Sequence, residues 1–571
     1  MTNLKQKRKL KNRVKVFLLI SFLSILMIIY FFLNESQSIT NANQTFYLSN
    51  SILTVDLFND DLTKTKEVSR GTKIRLLGIT IDDDNQQYEK IKLDNEYYFV
   101  NKNNITDIEN KVATEQKIYA RTSTTLYQDI DKGTIKGLVK KGNELSIVDY
   151  DFTNEDGSVN IYQVSINDKT GYIYGKYSAF TELEALENYN PEKYYDIHNQ
   201  RGNRFGGGHA GHLDYYPRIK PIFEDNLMPI KVYAIYLNSG RSIIDNVDDY
   251  IQFAKQTKIN AFVVDIKDNE APAYKSKVFE QLSPTNYKYA NNSFENYKNA
   301  INKIKEAGFY VIGRITVFKD KYYVLDNPDI AITDSRNNQP YLHSNTYWPS
   351  PFQRDVWKFN VNLAKEAVIE MGFNEIQFDY VRFPDRTIDA ENKGLMLFLN
   401  DYEEEKAQAI QRFLMYACDE LHKLKVYVSA DVFGESAYNY VTAYGQYWPA
   451  ISNVVDVISG MPYPDHFNKY EFGFKEPVWT IPYDLLYLWG NEYVKKRQQE
   501  IPNPAIVRNW IQVYDVPNYK HPGGFPYGNE QIEAQIKALF EAGLDGGYMT
   551  WLSHSSLDRY KKQREVYSKE Y

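Results

Sequence analysis

Eight apolar runs of strand length follow one another after Lys231: VYAIYL (232–237), AFVVDI (261–266), YVIGRITVF (310–318), EIQFDYVRF (375–383), VYVSADVF (426–433), VDVISGMPY (455–463), IVRNWIQVY (506–514) and GYMTWL (547–552). Segments of helical period lie between them, such as NYKNAINKIKEAG and EEEKAQAIQRFLMYACDELHKL. Gly308, Gly372 and Gly543 each stand where a helical pattern stops and a strand pattern starts, the position of a left-handed cap. Strict strand–helix alternation predicts an α/β fold, a (β/α)8 barrel over residues 230–560. A doubly wound open sheet is the competing arrangement, but no GxGxxG follows the first strand.

Upstream the period changes to two. Residues 45–108 contain SRGTKIRLLG and then YEKIKLDNEYYFVNKNNI; residues 117–178 contain KKGNELSIVD and then IYQVSINDKTGYIYGKYS. Each copy has a basic-Gly turn, alternating strands, a short Asn/Asp turn and a Tyr-rich strand, which predicts two small all-β barrels. The second copy, opened by KIYARTSTTLYQDI, resembles bacterial SH3-like repeats. That resemblance implies binding of cell-wall peptide; a spacer is the alternative. Residues 179–229 are polar and irregular and read as a linker or an arm packing on the barrel. The stretch RFGGGHAGHLDYYPR, with His209 and His212, has the glycines of an anion cradle but no P-loop Lys-Ser/Thr and no strand leading into it.

The N-terminus changes the picture again. Seven Lys and Arg residues fall within residues 1–15, and residues 16–33 carry no charge. Eighteen helical residues span about 27 Å, close to the hydrocarbon thickness of a bilayer. The expectation is a cytoplasmic tail, a single-pass signal-anchor at 16–33 and extracellular domains after it; a cleaved signal peptide is the alternative. Without the seven basic residues the formal charge moves from −7 to −14, which argues against nucleic acid as a partner. The single cysteine, Cys418, excludes an intrachain disulfide and a Cys-based zinc site, and the eight histidines show no HExxH or HxH spacing, so no metal or cofactor is expected. The 49 tyrosines suit surfaces that stack on sugars or peptides, and they also suit strands.

In such a barrel the chemistry sits at the C-terminal ends of the strands. Acidic groups collect there: Asp265 and Asp268, Asp379, Asp431 and Glu435, Asp465, Asp515. Asp379 interrupts an apolar strand, and burying an unpaired carboxylate costs several kcal/mol or more. Side chains alternate along a strand, so Gln377 shares a face with Asp379, and Ser429 with Asp431. Both acids are expected to point into one cavity, balanced by Arg382 and Lys267. Asp456, at the start of its strand, is expected to be structural. Paired carboxylates in an aromatic cleft suit glycoside hydrolysis, one protonated as acid and one ionised as nucleophile or base.

The runs GGGHAGHLDYYPR, INAFVVDIKD, GFYVIGRITVFKD, GFNEIQFDYVRFP, VSADVFG and VDVISGMPYPDHF resemble a bacterial TIM-barrel family of glycoside-hydrolase-like proteins classed as a domain of unknown function. The resemblance covers nearly 60% of the chain, from Lys231 to about Ser556. It implies Asp379 as nucleophile. The acid/base is assigned to Asp431, with Glu435 and Asp265 as the other candidates. Substrate contacts are expected from Gln377, Arg382, Asp268, Tyr380, Tyr463, His466, Trp510, Gln512 and Trp551. Where the family carries Trp-Asn after its last strand, this chain has TWLSHSS and keeps only the tryptophan. The function expected is a membrane-anchored extracellular hydrolase of a polysaccharide; the alternatives are a non-catalytic carbohydrate-binding barrel and a wall-tethering protein.

Overall fold

The computed structural model describes residues 45–49, 54–83, 86–107, 117–151, 159–189 and 194–571. The tail and anchor expected at 1–15 and 16–33 lie outside them. Among the described residues no helix is long and apolar enough to cross a membrane. The chain divides into two compact units, one ending at Leu186 and one running from Glu187 to the C-terminus, with 131–138 counted in the second.

The first unit is all-β. It contains two seven-stranded sheets, one from strands between Phe46 and Thr106, the other from strands between Lys117 and Ala179. Numbered along the chain, the strands of both sheets lie in the same spatial order: third, second, sixth, fifth, fourth, first, seventh. The sequence repeat is therefore a structural repeat. Each copy closes over its own apolar cluster, with Leu48, Val55, Leu57 and Ile91 in one and Ile118, Leu126, Leu145 and Val164 in the other.

The second unit is built on a row of nine parallel strands: β1 (Val232–Leu237), β2 (Ala261–Asp268), β3 (Tyr310–Thr316), β4 (Glu375–Asp379), β5 (Tyr427–Phe433), β6 (Val457–Met461), β7 (Ile506–Val507), β8 (Asn509–Gln512) and β9 (Gly547–Trp551). The row runs β7-β6-β5-β4-β3-β2-β1-β9-β8. Its two ends are neighbours along the chain, separated only by Arg508, whose amide donates to Ile458 O at 3.1 Å. The sheet thus forms a nearly closed barrel. The run expected as one strand over 506–514 is two pieces, β7 turned to β6 and β8 turned to β9.

Helices α1 (Val247–Ala254), α2 (Phe294–Glu306), α3 (Arg354–Met371), α4 (Lys406–His422) and α5 (Asn529–Glu541) occupy connections between strands. Gly308, Gly372 and Gly543 adopt φ of +87°, +69° and +83°, so each ends its helix in the left-handed conformation that favours glycine. Cys418 is buried on α4, as an apolar filler would be.

The segment before β1 is an arm packed on the barrel. His198 stacks on Tyr215 with ring centroids 3.7 Å apart, and Arg201 grips Glu500 through two bonds of 2.6 and 2.7 Å. His209 and His212 do not form an anion cradle: the His209 amide and the His212 ring both meet Glu405 Oε2, at 3.0 and 3.1 Å, at the start of α4. Further on, the Phe223 amide donates to Tyr427 Oη at 3.2 Å, and Met228 Sδ meets Arg508 Nη2 at 3.2 Å. These contacts fall at the N-terminal ends of the strands, where the fully buried pair Glu375–Arg508 (2.9 Å) also lies. Asp456 has the structural role expected of it, accepting from the Val428 amide and meeting His422 Nε2, both at 2.8 Å.

Candidate active site

Period-two alternation places the site. On β4, Ile376 and Phe378 face the helices, with Phe378 edge-on to Phe413 of α4 at 5.2 Å, so Glu375, Gln377 and Asp379 face the barrel interior. Asp379 ends the strand. On β5, Tyr427, Ser429 and Asp431 face inward by the same rule. Phe378 pairs with Ala430, so one step further along these parallel strands Asp379 stands beside Asp431. Neighbouring strands are about 4.8 Å apart.

The two carboxyls have opposite surroundings. Asp379 Oδ2 accepts from Arg314 Nε at 3.0 Å and Nη2 at 2.5 Å, and Oδ1 accepts from the Tyr380 amide at 2.6 Å. Tyr380 reaches that position with φ +48°, a left-handed backbone rare for a bulky residue. Among the described residues Asp431 accepts one bond, from Trp510 Nε1 to Oδ1 at 2.8 Å, and its buried Oδ2 has no partner. Burial pushes the Asp431 carboxyl well above the usual carboxylate range, and the charge of Asp379 adds to this; Arg314 and the Trp510 N–H pull the other way and lose. Asp431 is 0% exposed and Asp379 5%.

Arg314, from the middle of β3, binds two acids. Its Nη1 donates to Asp265 Oδ1 at 2.7 Å, while Asp268 lies 3.9 Å from Nη2. Asp265 also accepts from the Tyr236 hydroxyl. Burial raises the Asp265 carboxyl to about 6 despite the guanidinium, with Asp268 adding to the rise. Burial draws Arg314 down, but Asp265, Asp379 and Asp268 outweigh it, and its pKa ends well above normal.

An aromatic wall stands opposite. Tyr236, Trp510 and Trp551 pack within 4.8–6.0 Å of one another, and Arg314 lies 5.2 Å from the Trp551 ring. Of the expected sugar platforms, Tyr380 and Trp551 are partly exposed, whereas Tyr463 and Trp510 are buried. Tyr463 sits behind Trp551 with rings 6.5 Å apart, and Trp510 serves Asp431.

Arg382 does not pair with Asp379; its Nη1 donates to Phe383 O at 2.9 Å and Asp385 Oδ1 at 3.1 Å. Lys267 does not reach the mouth. The β2–β3 register slips between Asp265 and Lys267, and this bulge turns Lys267 to the helix side, where it pairs with buried Asp320 at 2.6 Å. Gln377 does not touch Asp379; its amide nitrogen lies 3.4 Å from both Ser459 Oγ and Met549 Sδ. Gln512 is fully buried and braces the Asp465 amide at 3.1 Å. Glu435 is exposed on the turn after β5, held by Tyr440 at 3.0 Å and Tyr444 at 2.8 Å. His466 is half-exposed, edge-on to Tyr463 at 5.1 Å. Arg314 and Tyr236 were not among the expected residues. The signal for Arg314 was present: it is a charged residue inside the apolar run YVIGRITVF, the same anomaly that marks Asp379.

None of the curated proteins matches the chain. Among solved structures, a hypothetical protein from Ruminiclostridium thermocellum is 30% identical over 35% of this chain and 97% of its own, with a TM-score of 0.29. The glycoside hydrolase domain of PgaB (BpsB) from Bordetella bronchiseptica is 13% identical over 60% of this chain and 100% of its own, with a TM-score of 0.42. The spore cortex-lytic enzyme SleL of Bacillus megaterium is 13% identical over 60% of this chain and 76% of its own, with a TM-score of 0.33. A family described as "Putative glycosyl hydrolase domain" matches residues 234–557, more than half of the 571 residues. The carboxyl cluster of β2, β4 and β5 lies within the matched segment, and the chain belongs to that family.

Proposed function

We propose that the protein is a membrane-anchored extracellular glycoside hydrolase that cleaves a polysaccharide with Asp379 and Asp431 on a (β/α)8 barrel, in which β7 and β8 together form the seventh strand. One observation carries the reading: two adjacent carboxyls, one gripped by three N–H donors and one buried with a free oxygen. Asp379 is the ionised nucleophile. Its oxygen attacks the anomeric carbon as the glycosidic C–O bond breaks, and Asp431 gives its proton to the departing oxygen. Water then returns a proton to Asp431, and the resulting hydroxide displaces Asp379 from the anomeric carbon. Adjacent strands suit the roughly 5 Å carboxyl spacing of a retaining enzyme. The two N-terminal sheets are SH3-like modules that bind wall peptide or space the barrel from the membrane, and residues 16–33 are the anchor.

A second reading, a carbohydrate-binding barrel without hydrolysis, is favoured by the complete burial of Asp431. Proton delivery requires the aromatic wall beside it to part as sugar enters. One experiment separates the two readings. The full chain is screened in detergent against purified wall and capsule glycans for binding and for new reducing ends, beside Asp379→Asn and Asp431→Asn. Cleavage lost in both variants with binding kept supports the hydrolase; binding with no cleavage by the parent protein supports the binder.

A further inference from the structure

Tyr380, the residue after Asp379, is flanked by two cations. Lys319, on the turn after β3, places its ammonium 4.7 Å from the Tyr380 ring centroid and 3.5 Å from the hydroxyl. The Arg382 guanidinium lies 5.0 Å from the same centroid, inside a cage completed by Trp348, Phe433 and Tyr444 at 5.1, 4.5 and 5.8 Å. Arg382 pairs with Asp385 Oδ1 at 3.1 Å, but through Nη1 alone. Among the described residues Lys319 has no carboxylate partner, and only Nη1 of Arg382 is bonded, so its Nε and Nη2 have no protein acceptor. Arg382 is 5% exposed, so the rings around it confine its guanidinium. Asp379 does not need either charge, because Arg314 already holds it.

A rigid guanidinium with a free Nε/Nη2 edge matches a carboxylate in the two-bond geometry, and an ammonium alongside adds charge without direction. An acid brought there gains strength from the low dielectric around the cage. Both cations flank the residue whose amide holds the proposed nucleophile, so the group they recognise belongs to a sugar at or next to the bond cleaved. We propose that the substrate is an acidic polysaccharide, and that Lys319 and Arg382 bind the carboxylate of a uronic acid residue beside Tyr380. This rests on the hydrolase reading for its site but makes a separate claim about charge.

The test uses the full chain in detergent, with tetragalacturonate and a hyaluronan tetrasaccharide as probes and their methyl esters as neutral controls. Binding is measured by calorimetry at low and high salt. The acids are expected to bind at least tenfold tighter than the esters, with the preference shrinking as salt rises. Lys319→Gln and Arg382→Gln should each remove most of the preference for acid over ester. Arg382 is buried, so circular dichroism checks the folding of its variant; if that variant is unfolded, Lys319→Gln decides alone. Esters that bind as well as acids, a preference that survives Lys319→Gln, or no binding by any probe overturns the proposal. Asp379→Asn keeps the two claims apart: it should abolish cleavage and keep the preference for acids. Preference without cleavage in the parent protein counts against the hydrolase reading alone, and cleavage of neutral glycans without preference counts against this inference alone.

Discussion

Trp510 and Asp431 meet through one hydrogen bond, 2.8 Å from the indole Nε1 to Oδ1, and among the described residues it is the only bond the carboxyl accepts. The N–H favours the ionised form but is outweighed by burial and by the charge of Asp379. Trp510→Phe removes this donor. Stability should fall by about 1–3 kcal/mol for the orphaned acceptor, read by chemical denaturation. The Asp431 carboxyl should rise further, moving the alkaline limb of the kcat/KM profile to higher pH. An unchanged limb would remove Asp431 from the acid role.

Arg314 is the shared cation of Asp265 and Asp379. Replacing it leaves two buried carboxyls without their guanidinium, a change that costs about 3–5 kcal/mol when one partner of a buried pair is lost. Arg314→Lys keeps the charge but not the Nε/Nη2 grip on Asp379. It should lose roughly 100-fold in kcat, with a smaller loss of stability than Arg314→Gln. Single-turnover kinetics and denaturant midpoints on the same samples check both. Equal activity in the lysine variant and the parent protein would show that the grip is not needed.

Asp265 gives a pH signature in stability. Its folded carboxyl sits at about 6 against an ordinary value of 3.8. Below about pH 4 both states hold the proton, and the contribution of the group is fully present. Between about pH 4 and 6 the unfolded chain releases the proton while the folded chain keeps it, so stability declines as pH rises, and above that window the loss is complete. The size is about 3 kcal/mol at roughly 1.4 kcal/mol per unit. Asp265→Asn has a constant offset from the lost charge on Arg314 but should lack this slope. Denaturation curves of both proteins from pH 4 to 7 read the difference. Parallel curves would contradict the raised carboxyl of Asp265.

The other end of the barrel separates stability from chemistry. Arg508 Nη1 meets both oxygens of Glu375, and Tyr310 donates to the same carboxylate at 3.1 Å. Glu375 lies four residues before Asp379, about 13 Å along the strand. Arg508→Met should cost about 3–5 kcal/mol, and adding Glu375→Leu should restore most of it, because a buried pair replaced by apolar groups is often neutral. Per folded molecule, cleavage should be unchanged in the double variant. A double variant no more stable than the single one would show that the pair is worth its desolvation.

The strands, the glycine caps and the inward face of Asp379 were legible because each depends on local spacing: period two, period 3.6 and a residue that tolerates positive φ. The partners of the acids were not. Arg382 and Lys267 are near Asp379 and Asp265 in sequence, but a bulge at one and a neighbouring Asp385 at the other claim their charges. Arg314 was hidden for the converse reason. It is 65 residues from Asp379, and only the register of β3 against β2 and β4 brings its fork between the two acids. The interruption at Arg508 was equally silent, since IVRNWIQVY reads as one strand until the sheet has to close.

The arm that precedes β1 has a practical meaning for anyone who excises or swaps the catalytic portion. A fragment begun at the first barrel strand would strip Met228 from Arg508 and Phe223 from Tyr427, uncovering apolar surface and a charged pair at once. The working boundary therefore lies upstream, near Glu187, and chimeras that join there should fold where shorter ones precipitate.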